Sequence, residues 1–248
     1  MRPYLLEMKC EFLSLLRTPR YSVSTVLFPA MFYIFFGVVM KQSGSPQGPL
    51  QVMTAMCAMG VMMAGIWGPG AVIATERGLG WLEVKRASPM PPLAYFLAKI
   101  AGALAFCTIT VAVVFLLGGS LGGVRMAAGQ WALLGVSLVA GGIPFSALGF
   151  LVGYTATPNA APAMVNLIVL PMAFLSGLWI PMQFLPQVVR DFAVALPAYH
   201  LNQIAMQVAG LHSRGTLGSH IEGLVAATLV LGGFAWIAWR RDDRKAFA

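Results

Sequence analysis

Long runs without a charged residue alternate along this chain with short places where charges gather. The uncharged runs cover residues 21–40, 42–75, 100–124, 126–189 and 223–239. A bilayer core about 30 Å thick is crossed by about 20 apolar residues in a helix, so each run can hold a membrane span. The fourth run is long enough for two spans, and Pro158, Asn159 and Pro162 interrupt it where one would end and the next begin.

The pattern therefore predicts an all-α integral membrane protein with six transmembrane helices in one domain. The predicted spans are residues 21–40, 52–75, 93–118, 130–154, 163–178 and 221–239. A kink is expected in the fourth span, near the adjacent Gly141 and Gly142 and the nearby Pro144. Residues 179–219 are too long and too rich in proline for one helix, which favours an outer re-entrant segment. An ordinary external loop is the alternative.

The first 19 residues predict a separate helix that lies in the inner membrane interface. Apolar side chains fall on one arc at helical spacing, namely Leu5, Met8, Phe12, Leu15 and Leu16. On the opposite side lie Glu7, Glu11 and Ser14. Such an amphipathic pattern is typical of interfacial helices. Phe12, Arg17 and Arg20 are the predicted anchors, with the two arginines near lipid phosphates.

Composition and charge support a membrane location and give the orientation. The 248 residues are 58% hydrophobic and only 10% charged, whereas soluble domains carry about 25% charged residues. The net charge of +8 does not indicate nucleic acid, because twelve of the sixteen basic residues gather at the two ends and in residues 76–99. With six spans these places fall on one side, and the positive-inside rule makes that side, with both termini, cytoplasmic.

A charged segment, residues 76–92, lies between the second and third predicted spans. A short helix over residues 78–87 is expected there, because the residue before Pro89 is pushed out of the α region. The helix would carry an apolar face among its charges, formed by Trp81, Leu82 and Val84. This face favours a docking element for a partner protein, and a plain connecting loop is the alternative.

Sequence motifs for catalysis are weak or missing. There is no Gly-Lys dipeptide, hence no phosphate loop for ATP, and no metal-ligand spacing. Ser120 lies in a Gly-x-Ser-x-Gly match, but the nucleophile elbow needs a preceding strand, which the sequence does not predict. We therefore expect no catalytic residue, metal or cofactor on this chain.

Charged side chains are also missing from the middle of the predicted spans. Lys99 lies near the inner end of the third span, from which it is expected to reach the headgroups. Ion- and proton-coupled carriers usually keep ionisable groups inside the membrane, so the pattern argues against a proton-driven carrier. It favours an apolar or amphipathic substrate.

Three features together resemble the permease subunit of ABC-2 type exporters, a group that contains drug, polysaccharide and lipid exporters. They are the interfacial first helix, the segment TERGLGWLEVKRASPM and the segment FLSGLWIPMQFLPQVVRDFAVALPAYH. In that family the loop after the second span is a coupling helix seated in a groove of a separate ATP-binding subunit, which holds ATP and Mg. By this resemblance, the residues that would couple the chain to the ATP-binding subunit are Glu76, Arg77, Trp81, Leu82, Glu83 and Arg86.

The resemblance also implies a dimer of six-helix halves in the inner (plasma) membrane of a bacterium, with export by alternating access. Its seam would be the substrate pathway, lined by Phe28, Phe32, Phe35, Asn166, Phe174, Ser176 and Trp179. Neither the substrate nor whether the two halves are identical follows from the sequence. A secondary carrier or channel that acts alone, and a membrane-embedded enzyme, are the alternatives.

Overall fold

The computed structural model describes residues 2–40, 47–87 and 91–246, apart from the side chains of residues 2, 3, 20, 86, 92 and 244–246. Every regular element in these ranges is helical. The helices are α1 (Arg2–Leu16), α2 (Pro19–Phe32), α3 (Gly48–Gly78), α4 (Trp81–Ala87), α5 (Pro92–Ser120), α6 (Ala128–Ala140), α7 (Ile143–Thr155), α8 (Ala161–Leu175), α9 (Gln187–Ala193), α10 (Pro197–Val208) and α11 (Leu217–Ala246). A π-helical segment, Tyr33–Val39, continues α2, and a 3-10 turn, Met182–Phe184, precedes α9.

The centre of the bundle is α3, which packs against α2, α5, α7, α8 and α10. Its methionines Met53, Met59 and Met62 are fully buried and belong to the main hydrophobic core. The closest neighbour is α7, where a Cβ placed on Gly149 would lie 2.8 Å from the carbonyl oxygen of Ile66. Helices in lipid associate through close packing, so small residues at such contacts are typical.

Five stretches of the described chain are long and apolar enough to cross a membrane. They are Tyr21–Val39, Gly48–Gly78, Leu93–Ser120, Ala128–Thr155 and Leu217–Asp243. They agree with five of the six predicted spans. The remaining one corresponds to α8, which is apolar but only 15 residues long. The all-helical membrane class is thus supported, while six crossings and cytoplasmic termini stay predictions.

A glycine ends α8 three residues before the predicted limit. Gly177 has φ +77°, and the N–H of Leu178 donates to the carbonyl of Ala173 at 3.2 Å while Gly177 N–H donates to Phe174 at 3.4 Å. These two bonds form a Schellman motif, which closes a helix through a left-handed glycine. The chain then continues as irregular backbone rather than as membrane-spanning helix.

The expected kink in the fourth span is a full break between α6 and α7. The two helices end and begin around Gly141 and Gly142. Pro144 stands in the first turn of α7, where a backbone N–H would have no acceptor within the helix. The proline therefore costs no helical hydrogen bond. The buried face of α7 is then free to lie along α3.

Residues 179–219 form ordered structure at the end of the bundle opposite α4. Their main element is α10, which packs against α11, α3 and α6 and contributes Ala198, Leu201 and Ala205 to the core. An ordinary external loop would not be buried in this way. Entry of this segment into the membrane stays a prediction.

Part of the polar side of α1 points into the protein, whereas an interfacial helix would expose it to water. α1 packs along α5. Glu11 is only 4% exposed, and on the apolar arc Leu15 is buried while Leu5 and Leu16 are exposed. The physical reason is a lysine on α5 that pairs with Glu11, described next.

Candidate functional site

A buried ion cluster joins α1, α3 and α5 at the end of the bundle that carries α4. Lys99 is 1% exposed, and its Nζ lies 2.7 Å from Glu11 Oε2 and 2.8 Å from Glu76 Oε1. The hydroxyl of Tyr95 donates to Glu76 Oε2 at 2.7 Å. The expectation that Lys99 would reach the headgroups is therefore wrong. Two carboxylates compensate the ammonium for its lost hydration, which makes its burial tolerable.

Lys85 connects α4 to this cluster. Its Nζ lies 2.9 Å from Glu7 Oε1 and 3.8 Å from Glu76 Oε1, and 4.7 Å from the ring centre of Tyr95. Burial by itself would lower the pKa of Lys85, but the carboxylates of Glu76 and Glu7 outweigh it and raise the pKa above its ordinary value. Lys85 is thus held in its charged form, and α4 is tied to α1 and α3.

Arg77 makes a second connection, from the end of α3 to α7 and α11. Its Nε and Nη2 donate to Asp242 Oδ1 at 3.0 and 2.7 Å. Its Nη1 donates to the carbonyl oxygens of Gly153 at 3.0 Å and Ala156 at 3.2 Å. Glu76 and Arg77, both predicted as coupling residues, therefore join the ends of several helices.

The apolar face of α4 is divided between the inside and the outside of the protein. Leu82 is 8% exposed and packs in a cluster with Ile73 and Tyr95, so it does not share the outer face predicted for it. Trp81 and Val84 are exposed, as is Glu83. Residues 81 and 84 lie about 60° apart around a helix, but 81 and 82 about 100°, which explains the division. The side chain of Arg86 lies outside the described part.

An inner cavity of about 480 Å³ opens beside this end, between α1, α2, α3 and α4. Its wall is both aromatic and charged, and includes Tyr21, Trp67, Glu76, Trp81 and Lys85. The contacts of α4 with the bundle include the packing of Leu82 and the ion pairs of Lys85.

Four of the predicted seam residues form one aromatic cluster at the opposite end. Ring centres are 4.4 Å apart for Phe28 and Phe32, 5.6 Å for Phe32 and Trp179, and 4.5 Å for Phe174 and Trp179. The sequence did not indicate Met59, whose Sδ lies 2.8 Å from the indole nitrogen of Trp179. The cluster joins α2 to the end of α8.

The other predicted seam and anchor residues are distributed more widely. Phe35 lies on the π-helical segment and is exposed, and Asn166 is exposed on α8. Ser176 is fully buried, so it does not line an open path. Among the anchors, Phe12 packs 5.9 Å from the ring of Phe106 and Arg17 is exposed, while the side chain of Arg20 lies outside the described residues.

A histidine pair fixes α10 to the first turn of α11. The Nδ1 atoms of His200 and His220 lie 3.0 Å apart, and His200 Nε2 lies 2.8 Å from the carbonyl oxygen of Val194. Burial lowers the pKa of His200, with the Val194 carbonyl opposing and His220 adding to the shift. His220 is also buried, at 4% exposed, whereas His212 is exposed.

Comparison with known proteins defines the class. A family profile described as "ABC-2 type transporter" matches residues 4–209, which contain α1 to α10 except for the first residues. The match covers most of the chain, so this protein belongs to the ABC-2 type transporter family, as the sequence features predicted. Members are membrane transport components rather than catalysts, and in general they work with an ATP-binding subunit.

A bacterial protein is similar along most of its length. It is the "Putative transport permease YvfS" of Bacillus subtilis (strain 168), with 26% identity over 200 residues, covering 80% of this chain and 82% of the relative. Together with the apolar helices, these comparisons make the chain a multi-pass membrane permease.

Proposed function

We propose that this chain is the transmembrane subunit of an ATP-driven exporter that moves an apolar or amphipathic compound by alternating access. A separate ATP-binding subunit, carrying ATP and Mg, supplies the energy, and a second permease copy, identical or not, completes the pathway. The family membership supports a transport role. The observation that supports coupling to an ATP-binding subunit is the placement of α4. Its outer face is exposed, and its inner face is fixed to the bundle by an ion pair.

A partner that moves α4 would move the bundle, because α4 has few independent degrees of freedom. Leu82 packs in the cluster that contains Tyr95, and Lys85 pairs with Glu7. Glu76 and Arg77 continue the connection to α5, α7 and α11. Coupling requires a physical element that both sites can bias. This chain of contacts is a candidate for that element.

The second copy is proposed to meet this one along α2 and α8. Phe35 and Phe174 project exposed aromatic surface there, beside Leu167 and Leu170 of α8. Aromatic and aliphatic side chains predominate around Phe28, Phe32 and Trp179. An apolar or amphipathic substrate is the class that such a lining would accept.

The test is a charge placed on the outer face of α4. Val84→Asp, at a side chain that is 61% exposed, should lower co-purification of the co-expressed ATP-binding subunit at least tenfold, because burying an unpaired charge in an interface costs several kcal/mol. Val188→Asp is the matched control. It changes a 79% exposed valine on α9, away from α4, and should leave the complex intact.

One result would contradict the proposed docking role of α4. If Val84→Asp retains as much ATP-binding subunit as Val188→Asp, with equal substrate-stimulated hydrolysis, α4 is only a connector. Both variants should insert into membranes normally, since both sites are exposed and lie outside the spans.

A carrier that acts alone is the second candidate, and the buried Lys99 is the observation in its favour. Ionisable groups inside membrane bundles mark proton or ion paths. Glu11 Oε1 has no hydrogen-bond partner among the described residues, so the cluster has spare acceptor capacity. The cluster, however, lies at the α4 end of the bundle rather than midway along it. Transport by the purified chain without any ATP-binding subunit would favour the carrier.

A further inference from the structure

A second cavity, of about 280 Å³, lies at the end of the bundle opposite α4. Its wall is formed by the first turns of α3, the irregular segment that follows α8, and α10 with the loop after it. This outer cavity is separate from the inner cavity beside α4, since the described residues that line the one do not line the other. Its volume is close to the lower end of the range for small-molecule sites.

One polar side chain of the outer cavity is unsatisfied. Asn202 is 3% exposed, and its Oδ1 has no hydrogen-bond partner among the described residues. The neighbouring Gln203 is equally buried, but its Oε1 accepts the backbone N–H of Arg214 at 2.8 Å. A buried amide oxygen without a donor is costly, and such an atom in a cavity wall is a natural acceptor for a ligand.

Part of the cavity lining is apolar and aromatic. Val52 and Met56 of α3 face the cavity, together with Phe36 and Trp179. Trp179 is also a member of the aromatic cluster with Phe32 and Phe174. The cavity therefore adjoins the proposed pathway, and a ligand within it would contact an apolar wall and the Asn202 oxygen together.

The ionisable residues at the cavity disfavour a cationic head group, and Asn202 Oδ1 requires a donor, which an anionic oxygen cannot supply. Arg214 and His212 are ionisable lining residues, and both are exposed. Within the part of the chain that the structure describes, no carboxylate lines the cavity, so nothing there compensates a cation. A neutral head with hydroxyl or amide N–H donors satisfies Asn202 without requiring a charge partner.

We propose that the outer cavity binds a neutral amphiphile whose hydroxyl or amide N–H donates to Asn202 Oδ1 while its apolar chain lies against Met56 and Trp179. A lipid-like compound with a polyol head is the simplest example. This inference deepens the proposed function and rests on it, because only that function makes the cavity the outer end of a transport pathway. Binding itself needs neither ATP nor a second subunit.

The test measures binding to the purified chain in nanodiscs by titration calorimetry. The probe is 1-monooctanoylglycerol, with octyltrimethylammonium as a cation of the same chain length and no donor. The glycerol ester should bind saturably at one site per chain, beyond its partition into empty nanodiscs, and the cation should not. Asn202→Leu should lower the affinity at least tenfold.

Two further variants keep the result interpretable. Gln207→Leu changes a polar residue of α10 that does not line the cavity, and should bind as the unaltered protein does. Val52→Phe fills the cavity while it retains Asn202, and should abolish saturable binding even if Asn202→Leu fails to fold. Saturable binding that survives Val52→Phe, or that folded Asn202→Leu leaves unchanged, overturns the proposal, as does mere partition of the probe.

Failure here is distinct from failure of the proposed function. A chain that binds no glycerol ester but still loses its ATP-binding subunit on Val84→Asp would remain a permease with its substrate site elsewhere. A chain that binds the ester but forms no complex would retain the cavity site and lose the exporter assignment.

Discussion

Lys99 is the side chain on which the α4 end of the bundle most depends. It is buried between Glu11 and Glu76, which belong to two different helices. Its removal would leave the buried carboxylate of Glu11 without an ammonium partner, while Glu76 would keep Lys85 and Tyr95. Breaking a buried pair from one side typically costs more than the pair contributes, because the remaining charge has no solvent.

We expect Lys99→Met to lower the free energy of unfolding by about 3–5 kcal/mol, the usual cost of an uncompensated buried charge. Lys9→Met, at an exposed lysine of α1, is the matched control and should change stability little. Denaturant unfolding in detergent micelles measures both. Adding Glu11→Gln to Lys99→Met should recover part of the loss, and equal stability of the two single variants would contradict this account.

The sequence indicated that Lys99 and Glu76 are close, but not that Glu11 joins them. Lys99 and Glu76 are both in the central charged region, so their proximity could be anticipated. Glu11 is 88 positions from Lys99, and only the packing of α1 along α5 brings it close. An amphipathic pattern identifies two faces of α1 without saying which one meets protein, and the assumption that charge faces water failed here.

At the scale of elements, the contact between α3 and α7 is the most extensive among the described helices. Gly149 stands within van der Waals reach of the α3 backbone at Gly65 and Ile66. A larger side chain there would push the two helices apart, and both contribute heavily to the core.

Gly149→Leu should therefore prevent stable folding or sharply lower the melting temperature, since overpacking against backbone cannot be relieved by a rotamer change. Gly232→Leu is the control, because a Cβ added to that helical glycine of α11 would meet no described atom within 4 Å beyond its own helix and chain neighbours. The melting temperatures of the purified variants provide the comparison. If the two leucines are tolerated equally, α3 and α7 do not pack as described.

Element positions were predictable where charge delimits them. The long stretches of α3, α5 and α11 agree with predicted spans because each is bounded by charged residues. α10 was not foreseen, since its buried face carries His200, Asn202 and Gln203, which a hydrophobicity pattern assigns to solvent. Polar side chains that find partners or cavities inside a bundle leave no such pattern.

At the level of the whole molecule, the proposed pathway depends on a second copy of the permease. Exposed apolar side chains cover α2 and α8, but they also cover α11, where Leu229 is one of the most exposed. Lipid and protein both cover such surfaces, so exposure alone does not choose between the faces. The resemblance to dimeric exporters favours α2 and α8.

Cysteine crosslinking in membranes distinguishes these faces. In a background without Cys10, Cys57 and Cys107, Phe174→Cys should give disulfide-linked dimers on mild oxidation. Leu229→Cys, on α11, should give few, because lipid would surround it. Dimers from Leu229→Cys but none from Phe174→Cys would move the seam to α11.

The shortness of α8 has a consequence for the lipid around the protein. A helix of 15 residues extends about 22 Å, less than the roughly 30 Å of an ordinary hydrocarbon core. The Schellman motif at Gly177 prevents α8 from lengthening to close the gap. If α8 crosses the membrane, as the sequence predicts, the acyl chains beside it compress, at an elastic cost that grows with bilayer thickness. Membranes of shorter acyl chains would then fit this protein better, and bilayer thickness would help to determine how stably it is held.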